Sequence, residues 1–225
     1  MYLGIIPARG GSKGVPGKNY SSLGGIPLIQ WTIDSSLKAT GLDDIICTSD
    51  CQIIQDIAVM NKIKFLQRPD YLSSDTSPII ETIKYVINNY KDRKVTHIVL
   101  LQPTSPFRKP ETISQCIEIS KRRRCNTVIT AYSSTHCHPS LIFNVDDNTH
   151  EPKWLLQEEL TKRRQDLSKY YIRAGTCYVT DIDTILSCSS IYGKVVSFKE
   201  VSGIETINID TQADLDLANY YAASL

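Results

Sequence analysis

Three cations stand among four glycines near the start of this chain: Arg9, Lys13 and Lys18, with Gly10, Gly11, Gly14 and Gly17 between them. Leu3, Ile5 and Ile6 before them read as a short buried strand. Pro7 then removes a backbone donor, and Pro16 follows within the loop. A glycine-rich loop lets a ligand approach the backbone closely, because few side chains stand in the way. Exposed N–H groups beside fixed cations form an anion cradle, and polyphosphate is the anion that suits it. Two common phosphate loops are excluded. A Walker A loop ending at Gly17-Lys18 needs glycine at position 12 and a hydroxyl at 19, where Ser12 and Asn19 stand. No three of the glycines have the Gly-x-Gly-x-x-Gly spacing of a dinucleotide fold.

The elements that must position this loop follow from periodicity. Apolar residues at 28, 29, 31, 33 and 37 predict a helix over Pro27 to Ala39. Ile45 to Thr48 predicts a strand, followed by Asp50 as cap of a helix from Gln52 to Asn61. Ile63 to Leu66 is a third strand, and Pro78 to Tyr90 a helix with Glu81 in its first turn. His97 to Leu101 is a fourth strand, and Glu111 to Arg123 a helix. Four alternations of strand and helix predict a parallel sheet with helices on both faces. Ligands bind such sheets beyond the carboxyl ends of the strands. The glycine loop, Asp50, Arg68 and Gln102 all follow such ends and can share one crevice.

The pattern changes at Thr127 to Tyr132, a strand. Residues 133 to 169 lack helical periodicity and carry short apolar pieces at Leu141 to Phe143 and Trp154 to Leu156. An irregular stretch of this length inside a compact domain is a functional insertion, expected here to form projecting hairpin strands. Tyr171 to Tyr178 is a strand, Asp181 to Ser187 a short helix, and Val195 to Phe198 and Thr206 to Ile209 further strands. Thr211, with Asp214 three residues on, predicts a capped helix to Tyr221.

Ile6 to Asn19, read as Ile-Pro-Ala-Arg-Gly-Gly-Ser-Lys-Gly-Val-Pro-Gly-Lys-Asn, resembles the signature of the acylneuraminate cytidylyltransferases. Further motifs resemble the same family. Arg68-Pro69 with Asp75-Thr76 is similar to its Arg-Pro-x-x-Leu-x-x-Asp-Thr segment, and Leu100 to Arg108 to its Leu-Leu-Gln-Pro-Thr-Ser-Pro-Leu-Arg, with Phe107 for leucine. Arg163 to Leu167 resembles its Arg-Gln-x-Leu-Pro segment. Ala174 to Tyr178 resembles Asn-Gly-Ala-x-Tyr, with Ala174 and Thr176 as departures. Asn208-Ile209-Asp210 stands where the family has Asp-x-Asp, so one carboxylate is replaced.

The resemblance implies a Rossmann-like, mostly parallel α/β sheet of the nucleotide-diphospho-sugar transferase type, in one domain spanning 1–225 with a β-hairpin dimerisation insertion at about 133–169. It implies transfer of CMP from CTP to the anomeric hydroxyl of a nine-carbon 2-keto sugar acid, a nonulosonic acid, with release of pyrophosphate. Arg9 and Lys18 would neutralise the triphosphate and stabilise charge at the reacting phosphorus. Ala8, Arg9, Gly10, Ser12, Lys18, Asn19 and Arg68 would hold the nucleotide. Gln102, Arg164 and Tyr178 would hold the sugar, Arg164 by a bidentate grip on its carboxylate. Asp210, with Asn208, would bind Mg²⁺. The alternative is a non-catalytic nucleotide-binding homologue, motivated by Asn208, Ala174 and Thr176. The absence of a Gln-Gly-Asp-Glu-Pro turn at Gln102 argues against an eight-carbon acceptor.

Composition agrees with an ordinary soluble enzyme. The chain has 225 residues and a net charge of +1, which argues against a nucleic-acid surface. The basic run Lys121 to Arg124 reads as a solvated helix end. No apolar run approaches the ~20 residues of a membrane span and no signal peptide is read, so a cytoplasmic protein without membrane contact is expected. Seven cysteines, an odd number without a Cys-x-x-Cys pair, are expected to be reduced. His136-Cys137-His138 reads as a loop rather than a metal site.

Overall fold

A computed structural model describes all 225 residues, Met1–Leu225. Strands β1 (Tyr2–Pro7), β4 (Asp44–Ser49), β5 (Lys64–Gln67), β6 (His97–Leu100), β7 (Thr127–Ser133), β10 (Tyr171–Asp181) and β11 (Val196–Glu200) form one sheet of order β11-β7-β10-β6-β1-β4-β5. Only β10 runs against its neighbours, pairing antiparallel with β6 and with β7. Every other pair in the sheet is parallel. Two small hairpins stand apart: β2 (Ser22–Leu23) with β3 (Ile26–Pro27), and β8 (Phe143–Val145) with β9 (Pro152–Trp154). The helices are α1 (Leu28–Lys38), α2 (Gln52–Met60), α3 (Ile79–Asn89), α4 (Pro110–Arg122), α5 (Ile182–Cys188) and α6 (Gln212–Ala222). None is long and apolar enough to cross a membrane.

The layers follow from the two-residue period of the strands. Leu3 and Ile5 of β1, Ile46 of β4, and Ile98 and Leu100 of β6 turn one way, into a cluster with Ile83 and Val86 of α3 and Ile185 of α5. Ile6, Cys47, Val99 and Leu101 turn the other way, against Ile29 and Ile33 of α1, Ile54 of α2, and Ile113 and Ile117 of α4. Both faces are apolar, which is why these strands read as continuous hydrophobic runs rather than as alternating ones.

A third, smaller cluster shapes the functional end of the molecule. Val15 of the glycine loop packs with Leu23, Leu28 and Phe107, and with Ile209, Leu215 and Ala218 from the chain's far end. Burial of an aliphatic side chain contributes roughly 1.5–3 kcal/mol, so Val15 and Ile209 fasten the loop to the segment that carries Asp210.

Two local expectations are corrected, and a third holds only in part. Thr206 to Ile209 is not a strand: Gly203–Thr206 is a 3-10 turn, and Ile209 then donates its N–H to the Thr104 carbonyl at 2.8 Å instead of joining a ladder. The β-branched residues there serve the third cluster, so their strand propensity is overridden by packing. Asp50 does not cap α2, whose first turn follows Cys51 without a side-chain cap; its carboxylate is turned to the glycine loop. The insertion is mostly irregular, with only the short β8–β9 hairpin and three 3-10 turns, Pro139–Leu141, Gln157–Glu159 and Arg164–Asp166.

Candidate active site

The loop between β1 and the 3-10 turn Lys18–Tyr20 is held by its own short contacts. Asp50 Oδ1, just past the end of β4, accepts the Gly10 N–H at 2.8 Å. A Cβ at Gly10 would lie 2.8 Å from that of Cys51, so only glycine fits between loop and turn. A Cβ at Gly14 would lie 2.2 Å from the Asp210 carbonyl oxygen, so glycine there lets the loop touch the segment before α6. Lys18 Nζ donates to the Ile209 carbonyl at 2.7 Å and stands 3.5 Å from Asp210 Oδ1. Buried Asn19 donates through Nδ2 to the Arg9 carbonyl at 2.9 Å. The loop is therefore preset by one bond of its own and by two regions far from it in sequence, Asp50–Cys51 and Ile209–Asp210.

These residues face a cleft of about 620 Å³ at the carboxyl ends of β1, β4, β5 and β6. One wall is the glycine loop, with Arg9, Ser12, Lys13, Gly14, Lys18 and Asn19. The opposite wall is the segment entering α3, with Ser74, Asp75, Thr76, Ser77 and Thr82. Arg68 closes one end, and Gln102, Pro103, Thr104 and Asp210 another. The lining is polar with a surplus of cations, which suits an anionic ligand.

Three of the four cations have a carboxylate. Arg9 Nη1 lies 2.7 Å from Asp75 Oδ1, and Lys13 Nζ 3.1 Å from Asp75 Oδ2. Lys13, then Arg9, hold the Asp75 carboxyl below its ordinary range against slight desolvation. Arg68 is 5% exposed and donates through Nη2 to the Thr48 carbonyl at 2.8 Å. Its Nε has no partner in the protein. Burial lowers the Arg68 pKa, and Asp50 nearby opposes that. The Nε is enclosed by protein, so whatever Arg68 offers the cleft it offers through the rest of its guanidinium, at the end of the cleft it lines.

Several expected residues converge here: Arg9, Ser12, Lys18, Asn19, Arg68, Gln102 and Asp210 all line this cleft. Ala8 and Gly10 support it from behind. Ala8 is fully buried with its N–H on the Thr48 carbonyl, so it offers no free donor. The Gly10 N–H is taken by Asp50. Asn208 is directed at Asp210 rather than alongside it, donating through Nδ2 to Oδ2 at 2.5 Å.

Two expected sugar contacts lie elsewhere in this chain. Tyr178 is 4% exposed and belongs to the α3–α5 face of the core, opposite Leu100 in the ladder. Burial pushes its phenol up to about 12. It is a core residue here because it pairs within β10, between β6 and β7, on the face that packs against α3 and α5. Arg164 lies in the insertion, with Nε on Thr135 Oγ1 at 2.6 Å and Nη2 beside His136 Nε2 at 2.7 Å. It borders a separate hollow of about 200 Å³ with Glu159 and Lys162.

The departures at Ala174 and Thr176 have a local account. Thr176 turns its hydroxyl inward to the Glu205 carbonyl at 2.9 Å, and Ala174 is buried with its carbonyl on Thr130 Oγ1. Gly175 between them packs closely behind Gln102. A Cβ there would be 3.0 Å from Ser105 Oγ and 3.3 Å from Gln102 Oε1.

Three residues have partners that sequence reasoning did not foresee. Asp75 stands in the Arg-Pro-x-x-Leu-x-x-Asp-Thr resemblance, but its pairing with Arg9 and Lys13 has no signal there beyond a carboxylate in a Ser/Thr-rich turn. Arg108 is 3% exposed and donates to the Gln102 carbonyl at 2.8 Å and to the Thr176 carbonyl. Asp50 was placed near the crevice, but its bond to Gly10 has no sequence signal.

A cation-lined cleft where parallel strands end defines an α/β protein built to hold a polyanion. The chain belongs to the cytidylyltransferase family, which it matches over residues 3–220. It is 34% identical to the CMP-N,N'-diacetyllegionaminic acid synthase of Legionella pneumophila, over 94% of this chain and 92% of that one. It is 30% identical to an N-acylneuraminate cytidylyltransferase of Streptococcus agalactiae, over 93% of this chain but only 50% of that enzyme. The fold is also that of a CMP:2-keto-3-deoxy-manno-octonic acid synthetase complexed with CTP, with a TM-score of 0.75, 17% identity and coverage of 100% and 99%.

Proposed function

We propose that the protein transfers CMP from CTP to the anomeric hydroxyl of a nine-carbon 2-keto sugar acid. The observation that carries this reading is the single cleft that gathers Arg9, Lys18, Asn19, Arg68, Gln102 and Asp210 in a chain that resembles a CMP-nonulosonate synthase over nearly the whole length of both. In the reaction the sugar hydroxyl oxygen bonds to the α-phosphorus, the bond from that phosphorus to the bridging oxygen breaks, and pyrophosphate leaves. Arg9, Lys13 and Lys18 face the cleft from one wall and stabilise charge on the phosphates and the leaving group. Arg68 and Asn19, both lining the cleft, hold the nucleoside end. Gln102 stands between nucleotide and acceptor.

A divalent cation fits the donor set at Asp210. Its carboxylate is 69% exposed beside the cleft, and Asn208 presents a neutral amide to it. Asp214 is committed to the backbone N–H groups of Asp210 and Thr211. One available carboxylate suits Mg²⁺, which keeps waters and takes its other ligands from phosphate. When bound, the ion would polarise the α-phosphate and lower the pKa of the attacking hydroxyl. In this arrangement Asn208 orients Asp210 through its amide.

The protein acts as a cytoplasmic homodimer in this reading. Leu141, Phe143 and Leu155 of the insertion are exposed, an apolar surface suited to a second copy. The position of Arg164 outside its own chain's cleft is accounted for if it serves the partner's.

The test is pyrophosphate release with CTP, Mg²⁺ and a panel of nine-carbon keto acids, with the eight-carbon acid as control. Turnover is expected with one of the nine-carbon acids, and Lys18→Ala is expected to lower it by about 10²–10³. No release above that variant's with any acid would sink the reading.

A further inference from the structure

The two cations at the outer rim of the glycine loop do not point freely into the cleft. Arg9 and Lys13 close on the two oxygens of Asp75, from the opposite wall, at 2.7 and 3.1 Å. The contact spans the cleft from the glycine loop to the segment entering α3; Lys18 instead turns to the segment before α6, to the Ile209 carbonyl and Asp210. We propose that Asp75 is an exchangeable counter-ion that competes with the polyphosphate for Arg9 and Lys13, weakening pyrophosphate binding so that this product leaves. The inference rests on the reading of the site given above and assigns Asp75 a role in it.

The physical case has three parts. A carboxylate and a phosphate ask for the same donors: both are oxyanions that take charge-assisted hydrogen bonds from guanidinium and ammonium groups. Arg9 and Lys13 cannot saturate Asp75 and a phosphate together in the same geometry, so ligand binding exchanges one set of ion pairs for another. Asp75 can move: it lies in a turn ahead of α3, and its side chain is 35% exposed, so on release it returns to water without being stranded. The cations it holds are themselves 29% and 82% exposed, so neither pair is locked by burial. Partly exposed pairs of this kind are worth little in stability. Their effect is on the ligand, which meets a negative charge where it needs positive ones.

The opposite role is also definite and gives the opposite sign. If Asp75 served to pre-organise Arg9 and Lys13, removing it would loosen them and weaken anion binding. Calorimetry with inorganic pyrophosphate on the full chain separates the two. Asp75→Asn should bind pyrophosphate about tenfold tighter than the parent protein, as expected when a like charge is removed beside a site, and pyrophosphate should inhibit turnover more strongly by a similar factor. In a Lys13→Met background the gain from Asp75→Asn should shrink, because one of the two cations it held is gone. Unchanged circular-dichroism melting would show that the variants are folded. Equal or weaker pyrophosphate binding by Asp75→Asn overturns the proposal. Tightening in a protein that does not turn over CTP would leave the counter-ion role standing and sink the synthetase reading instead.

Discussion

Arg108 shows how much a single buried side chain arranges around this cleft without lining it. Its guanidinium joins three elements: the turn after β6 through the Gln102 carbonyl, β10 through the Thr176 carbonyl, and α1 through Thr32 Oγ1 at 3.2 Å. Burial pulls its pKa down to about 10, still well above neutrality, so it stays charged. No carboxylate touches it, and the backbone carbonyls that take its hydrogens are fixed in place by it. Arg108→Met keeps the volume and strands these acceptors. Each unsatisfied buried group costs about 1–3 kcal/mol, so a loss of about 3 kcal/mol is expected in urea unfolding, with Arg108→Lys recovering part of it. Gln102 and Gly175 should also lose register, raising KM for the acceptor more than for CTP. An unfolding midpoint equal to the parent's would show that the three bonds carry no stability.

Helix α6 does for Asp210 what Arg108 does for Gln102. Thr211 and Asp214 form a reciprocal capping box, and Asp214 also accepts the Asp210 N–H at 3.0 Å. The Thr211 N–H first, then that of Asp210 and the Thr211 hydroxyl, hold the Asp214 carboxyl below its ordinary value. Its folded pKa is depressed, so the unfolded chain takes up the proton first as pH falls. The stability it gives is present above the ordinary carboxylate pKa of about 3.9 and is lost as pH falls through the lower, folded value. Asp214→Ala should cost about 1 kcal/mol at neutral pH, as lost caps do. That difference from the parent should shrink below about pH 4 in unfolding titrations; a gap that stayed constant into acid would mean the carboxylate charge is not what the cap uses. The box itself was legible in the sequence because it is local, three residues from cap to partner. So were the strands of the parallel sheet and the glycine loop, whose signals are periodicity and composition within a dozen residues. The Thr206 to Ile209 segment misled because β-branched residues look alike whether they feed a ladder or a small core. Tyr178 misled because motif position does not say which face of a strand a ring takes. Asp75, Asp50 and Arg108 act through pairings that only the folded chain creates, between segments that no local pattern connects.

Across the whole molecule, the net charge of +1 conceals a local separation of charge. The cleft concentrates cations and offsets them with Asp75 and Asp210, so attraction for a polyanion is confined to one place. The insertion carries the other asymmetry. It is anchored by buried His138, which takes the Ser140 N–H at 3.2 Å on Nδ1 and meets the Ser168 carbonyl at 3.1 Å through Nε2, and by Glu159, whose carboxyl is pulled down to about 2 by Ser168. Yet its outer residues Leu141, Phe143 and Leu155 remain uncovered. In the proposed dimer a second copy would cover this apolar side and bring its Arg164 to the cleft. Such a two-fold dimer would make each cleft depend on the partner's arm, and this can be tested without a structure of the pair. Lys18→Ala disables a chain's own cleft, while Arg164→Ala disables only the arm it lends. Each variant alone should be nearly inactive. Mixed after reversible dissociation, half the dimers would be hybrids, each with one cleft that has both its own Lys18 and an intact borrowed Arg164. Activity should then return to about a quarter of the parent's, the share of intact sites that random two-fold pairing gives. Sedimentation should show one species at twice 25.3 kDa throughout. A mixture no more active than the sum of its parts would mean that Arg164 does not cross between subunits, and that the cleft is complete within one chain.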